Sequence, residues 1–219
     1  MNSILLKLTS LLFIVILATG CATQQKPYDY SAYKQSNPRS ILVLPPINNT
    51  PDVKATYSML SQMTYPLAES GYYVFPVTLV DESFRQNGLN NPAEIHAVSP
   101  VKLREIFGAN AALYVTITRY GASYTVIKSQ SVVSASAKLL DLKTGQLLWE
   151  GSASASSQEN NNQSGGLAEL LISAIVTQVV SSVVDASHPV AGIASNRLLL
   201  ARPPNGILYG PRSPKYGSD

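Results

Sequence analysis

The residue best placed to do chemistry in this chain of 219 is Cys21, its one cysteine. Ala18-Thr19-Gly20 lead into it, and Leu11 to Leu17 (LLFIVIL) is an uninterrupted apolar run behind a basic start at Lys7. Small side chains before a scissile bond let a peptidase close on the backbone, and a thiol beside that bond can be diacylated. Leu17, Ala18, Thr19 and Gly20 are therefore the expected peptidase recognition residues, and Cys21 is the expected lipidation site. Once acylated, Cys21 offers no thiol for a disulfide, a zinc site or a nucleophile. Two or three acyl chains suffice for stable anchoring, each buried methylene contributing roughly 0.8 kcal/mol.

Other reactive patterns are sparse. His96 and His188 are the only imidazoles, and nothing in their spacing brings them together as metal ligands. Asp185, Ser187 and His188 supply the residue types of a triad, but on neighbouring backbone positions their side chains diverge, and no G-x-S-x-G precedes them. Capping of a helix end is the better account. Gly165-Gly166 has no phosphate-binding frame around it. A single Asp141…Gly145…Trp149 hairpin lacks the repetition a propeller requires. The chain is read as a non-enzyme, with no metal, cofactor or small-molecule substrate expected. Loss of Lys7 with the leader takes the formal charge from +3 to +2, which gives no electrostatic footprint for nucleic acid.

The elements that would carry any site follow from periodicity and punctuation. Residues 22–39 are polar and read as a tether, although Tyr28, Tyr30 and Tyr33 are unusual there and could dock. Ile41 to Leu44 is a buried strand closed by Pro45-Pro46. Thr50-Pro51-Asp52, Asn91-Pro92 and Ser99-Pro100 each place a cap before a proline at a helix start. Asp81-Glu82 marks a fourth start. The first helix is expected to bury Tyr57, Leu60, Thr64 and Leu67, with Pro66 kinking or shortening it. Tyr72 to Val80 is a second strand, kept near an edge or bulged by Pro76. From Ala111 the period changes to two. Ala111–Tyr120, Tyr124–Leu140 and Gln146–Ser154 form an antiparallel meander whose last hairpin turns at Asp141–Gly145, with Leu147 and Trp149 on one face. A helix from Leu167 to Asp185 is amphipathic with a broad apolar face, and Leu171, Ile175, Val176, Val179, Val180 and Val183 are a candidate partner surface. A short helix near Ala191–Leu200 and an irregular tail, in which Ile207, Leu208 and Tyr209 could dock, complete the chain. Nothing after the leader reads as a membrane span.

Two resemblances sharpen this reading. Ala18-Thr19-Gly20-Cys21 resembles a bacterial lipobox, with Ala18 at the position usually held by Leu and Leu17 one step earlier. Ala22 in place of an aspartate after the cysteine implies the outer membrane, with the domain facing the periplasm. Ile41-Leu42-Val43-Leu44-Pro45-Pro46-Ile47-Asn48-Asn49-Thr50 and the Leu139–Trp149 hairpin resemble the periplasmic domain shared by the curli-secretion channel lipoprotein and the N-terminal domain of the Tol-system propeller protein. From Ser40 to about Leu200, including Ala186-Ser187, Val190-Ala191 and Asn196-Arg197, the chain is similar to a bacterial lipoprotein family of the neisserial genome-derived antigen type. That resemblance brings no functional residue with it.

The expected fold is α/β: a five-stranded mixed sheet packed with helices, of anticodon-binding-like topology. The expected organisation is a signal peptide over 1–20, a lipidated tether over 21–39, one domain over 40–200 and a tail over 201–219. The expected role is an accessory or assembly factor of an envelope or secretion complex. Its contacts would be a membrane, through lipid, and a protein partner or a second copy. The alternatives are an activator of peptidoglycan synthesis and a channel-forming secretion subunit.

Overall fold

The computed structural model describes residues 28–124, 129–158, 186–202 and 204–219. In chain order the elements are α1 (Ser31–Ser36), β1 (Ser40–Val43), β2 (Ile47–Asn48), α2 (Ala55–Glu69), β3 (Tyr73–Val74), α3 (Val77–Gln86), α4 (Pro92–His96), α5 (Pro100–Phe107), β4 (Ala111–Tyr124), β5 (Ser129–Asp141), β6 (Leu147–Ser156) and α6 (Ser187–Leu199). The α/β class and the mixed sheet are as expected. Five strands run in the order β3-β1-β4-β5-β6, open at both ends, and a sixth, β2, pairs with β4. β1, β2 and β3 enter through parallel pairings, whereas β4, β5 and β6 form the antiparallel meander.

The extra strand has a simple origin. β1 and β2 lie one after the other along the same edge of β4, opposite Ala111–Leu113 and Thr116–Ile117. Between them stand Pro45 and Pro46, which have no N–H for the ladder, so one strand is divided into two. Strand alternation then sorts the core. Ile41, Val43, Leu113, Val115 and Leu139 face α2 and α6 on one side of the sheet. Leu42, Leu44 and Ala112 face Val80, Phe84, Ile95 and Leu103 of α3, α4 and α5 on the other.

Several boundaries depart from expectation, each for a local reason. Residues Tyr72–Val80 are not one strand: β3 ends at Val74, and Pro76 precedes helix α3, whose Val80 and Phe84 are buried. Pro76 cannot donate to a ladder, and its carbonyl accepts from Leu79 and Val80 instead. β3 does lie at the sheet edge. Thr50-Pro51 does not open α2. Thr50 N–H and Oγ1 both donate to Asn48 Oδ1, Asp52 Oδ1 accepts from Lys54 N–H, and the helix begins at Ala55. It runs through Pro66 to Glu69 and buries Met59 and Met63 beside Leu60 and Leu67, while Tyr57 is exposed. The other two proline starts hold: Asn91 Oδ1 accepts from Ala93 N–H, Ser99 Oγ from Lys102 N–H, and Gly108 closes α5 with a φ of 69°. In β6, Leu148 and Trp149 are both buried and Leu147 is not, because a bulge shifts the register between Leu139–Trp149 and Leu140–Leu147.

Candidate functional site

The segment read as tether is docked from Tyr28 onward, and it forms one wall of a cleft rich in tyrosine. Asp29 Oδ1 accepts from Ser31 N–H and Oγ, and one and a half turns of helix follow. Asn37 closes α1 in the left-handed region, φ 44°, with its N–H on Tyr33 O and Pro38 behind it. This places Tyr33 inside the core. Its hydroxyl lies 2.7 Å from Tyr72 Oη, which itself donates to the carbonyl of Leu208 at 2.7 Å. Tyr72 uses its proton on that carbonyl, so Tyr33 is the donor in the pair. Tyr30 donates to Gly206 O, and Trp149 Nε1–H to Asn205 O at 3.0 Å.

The segment expected to be an irregular tail is thus anchored, with Ile207 and Leu208 buried. Its approach demands two glycines. Gly71 has a φ of 96°, and a Cβ there would stand 2.4 Å from Ser213 N. A Cβ on Gly210 would stand 2.6 Å from Gly71 O. The backbones can therefore meet, Gly210 N–H on Ser70 O and Arg212 N–H on Gly71 O.

Between the two segments lies a half-open cleft of about 290 Å³, lined by Tyr33, Lys34, Asn37, Tyr72, Tyr209 and Tyr216 among others. Lys34 Nζ donates to Asp219 O, and Tyr216 Oη to Asn37 Oδ1. Burial raises the Tyr30 pKa to about 12, and raises Tyr33 and Tyr72 further. These phenols stay protonated near neutral pH. They serve as hydrogen-bond donors and not as bases or nucleophiles.

A second cluster joins α2, β4 and α6. Tyr120 Oη donates to Ser58 Oγ at 2.7 Å, His188 Nδ1 lies 2.8 Å from the same oxygen, and Gln62 Nε2 lies 2.8 Å from His188 Nε2. The Gln62 amide donates to Nε2, which leaves the ring proton on Nδ1 and directs it at Ser58. Ser58 Oγ then accepts two hydrogen bonds and faces no base, the reverse of an activated serine. The expectation that His188 caps a helix end is corrected: α6 has no side-chain cap, and His188 bridges helices because Ser58 and Gln62 stand opposite it. Ser187 is buried, and Asp185 lies outside the described residues.

His96 sits across the sheet, stacked edge-on to Tyr114 at 5.2 Å, with Nε2–H on Pro45 O at 2.9 Å. Burial lowers its pKa, against a smaller upward pull from that carbonyl. The sheet separates the two imidazoles, and among the described residues no three His, Cys, Asp or Glu side chains gather as metal ligands. Leu17, Ala18, Thr19, Gly20, Cys21 and the apolar face from Leu171 to Val183 lie outside the described residues. Tyr72 and Tyr216 were not singled out by sequence reasoning, whereas Tyr209 was, as a residue of the tail that could dock. The available signal was the ratio of 12 tyrosines to 4 phenylalanines, a bias toward rings that need a polar partner.

Residues 28–212 match the model of the GNA1162-like lipoprotein family. A lipoprotein of Neisseria meningitidis serogroup B is 48% identical over 199 residues, which cover 90% of this chain and 92% of that protein. The crystal structure of lipoprotein GNA1162 from Neisseria meningitidis is 51% identical, covers 66% of this chain and 100% of that one, and superposes with a TM-score of 0.54. A PelC dodecamer structure from Paraburkholderia phytofirmans is 13% identical over 75% of this chain and 89% of that one, at a TM-score of 0.42. A likeness that slight carries no argument. The family match begins at Tyr28, the first ring of the docked segment.

Proposed function

Since this chain belongs to the GNA1162-like lipoprotein family, we propose that it is acylated at Cys21 and anchored in the outer membrane with its domain in the periplasm. There it acts without catalysis, as an accessory or assembly factor of an envelope or secretion complex. The observation that carries the non-catalytic reading is the use made of the polar side chains. The tyrosine relay and the Ser58–His188 pair both direct their hydrogen bonds into the fold. The apolar residues Leu171, Ile175, Val176, Val179, Val180 and Val183, read from the sequence as a helix face, are the surface we assign to the partner or to a second copy.

The docked tyrosines bear on the alternatives. Only seven Cα–Cα steps separate Cys21 from Tyr28, a span of at most roughly 25 Å. That reach disfavours an activator that must work on peptidoglycan synthesis across the periplasm. A pore subunit is disfavoured by the helices packed against both faces of the sheet. The test is acyl labelling and membrane fractionation of wild type, Cys21→Ser and Val176→Asp/Val180→Asp, each followed by crosslinked capture through a C-terminal tag. Cys21→Ser should lose label and come off the membrane in a high-salt wash, or keep its signal uncleaved. The valine pair should keep label and lose its crosslinked partner. Undiminished labelling of Cys21→Ser overturns the anchor, and an unchanged crosslink in the valine pair overturns the surface.

A further inference from the structure

Two stretches that the fold lays side by side, residues 31–40 and 202–218, carry five cations and no carboxylate: Lys34, Arg39, Arg202, Arg212 and Lys215. All five are exposed. They are interleaved with aromatic rings. The Arg212 guanidinium lies 5.3 Å over the ring of Tyr73, and Lys215 Nζ lies 5.6 Å over that of Tyr209. Tyr73 bonds through its N–H to Arg39 O, and Tyr216, itself half exposed, hydrogen-bonds to Asn37. The carboxylates nearby are Asp29, held by Ser31, Asp219, held by Tyr209 N–H with Lys34 Nζ on its carbonyl oxygen, Asp141, buried and accepting from Ser36 Oγ, and Glu150 beside Tyr28. The helices on the opposite sheet face show the reverse balance, with Asp81, Glu82, Glu94 and Glu105 against Arg85, Lys102 and Arg104.

The position of this surface relative to the lipid is set by the length of chain between them. Tyr28 packs at 5.0 Å on Tyr30, from which α1 leads directly to Lys34. Six helical residues rise about 9 Å, and the seven steps back to Cys21 add at most roughly 25 Å. Tyrosine favours the headgroup level of a bilayer, where its ring and its hydroxyl are both accommodated. Cations within about 8 Å of an anionic surface are attracted to it.

We propose that this tyrosine-and-cation face is a membrane-contact surface. It rests on the anionic phospholipid headgroups of the leaflet that holds the acyl chains of Cys21. The contact orients the domain and turns the acidic helices and the remaining surface toward the periplasm. This inference rests on the acylation of Cys21 proposed above, and its test is separable from that reading.

The test uses the full mature chain with Cys21→Ser, so that no lipid is attached, and measures partitioning onto phosphatidylglycerol-rich and onto pure phosphatidylcholine vesicles. Each cation near an anionic surface raises partitioning roughly fivefold. Lys34→Gln/Arg212→Gln/Lys215→Gln should therefore lower binding to the anionic vesicles about a hundredfold, and high salt should do the same to the parent. A control triple, Lys54→Gln/Lys102→Gln/Arg104→Gln, removes equal charge elsewhere and should retain most of the binding. Circular dichroism confirms that each variant is folded. Equal binding to both vesicle types, or equal losses in the two triples, overturns the proposal. A failure here with normal acyl labelling of wild type removes the surface and leaves the anchor, whereas unlabelled wild type that still binds anionic vesicles removes the anchor and leaves the surface.

Discussion

Replacing Tyr72 with phenylalanine removes one oxygen and breaks two hydrogen bonds. In the native chain Tyr33 donates to Tyr72, and Tyr72 donates to Leu208 O, each at 2.7 Å. Tyr72→Phe strands the buried Tyr33 hydroxyl and the Leu208 carbonyl. At about 1–3 kcal/mol for each unsatisfied group, the loss is about 2–6 kcal/mol. Tyr33→Phe removes only the first donor and leaves Tyr72 bonded to the carbonyl, at a cost of about 0.5–1.5 kcal/mol. In the double variant the only stranded group is the carbonyl, so its loss returns to about 1–3 kcal/mol and falls short of the sum of the singles. Urea titration of all four proteins gives the cycle. Thermal scans should place Tyr72→Phe below Tyr33→Phe by several degrees, at roughly 2–4 °C per kcal/mol for a domain of this size. If Tyr33→Phe is as damaging as Tyr72→Phe, or the double loss is additive, the direction assigned to the relay is wrong.

Gly151→Ala would set a Cβ 2.3 Å from Trp149 Cζ2, against a ring tied by its N–H to Asn205 O. A loss of about 1–3 kcal/mol is expected, together with a shift in emission from the chain's one tryptophan, and unchanged emission and stability would refute this packing. Burial holds the His96 pKa below its ordinary value, so between the two values the unfolded chain binds more protons than the folded one. Stability should therefore fall as pH drops below about 6.5, and His96→Gln should flatten denaturation midpoints measured across that window. An unchanged slope would show that His96 titrates alike in both states.

What could be read from the chain was what residues decide within a few positions of themselves. Asn91, Ser99 and Gly108 mark helix ends because cap and capped backbone are adjacent in sequence. The alternation of Leu113, Val115 and Ile117 shows a strand for the same reason. Pro76 pointed to an edge or a bulge for β3, which does lie at the edge, although Pro76 itself falls outside the strand. The Leu147–Leu148 inversion could not be read, since a bulge belongs to the pairing of two strands and not to either alone. Nor could the destination of Tyr33, whose partner Tyr72 lies 39 positions away in the link between α2 and β3 and whose relay ends at Leu208. Thr50-Pro51 carried a valid cap signal that Asn48 answered first, by accepting both Thr50 donors.

The bond from Tyr30 to Gly206 joins positions 176 apart, and that separation imposes an order in time. In a chain exported from its N-terminus, residues 22–40 cross the membrane long before Ile207 and Leu208. Helix α1 has six residues, too few to persist without the packing that those late residues provide. If Cys21 is acylated as proposed, the stretch from 22 to 39 is until then a leash long enough to extend roughly 60 Å, ample for enzymes acting at Cys21. Arrival of the C-terminal segment docks Tyr28–Ser36 and shortens the leash to less than half. The domain is reeled in only when it is complete. A cut between 207 and 216 would pay that length out again, so damage at one end of the chain would be registered as a change of height at the other.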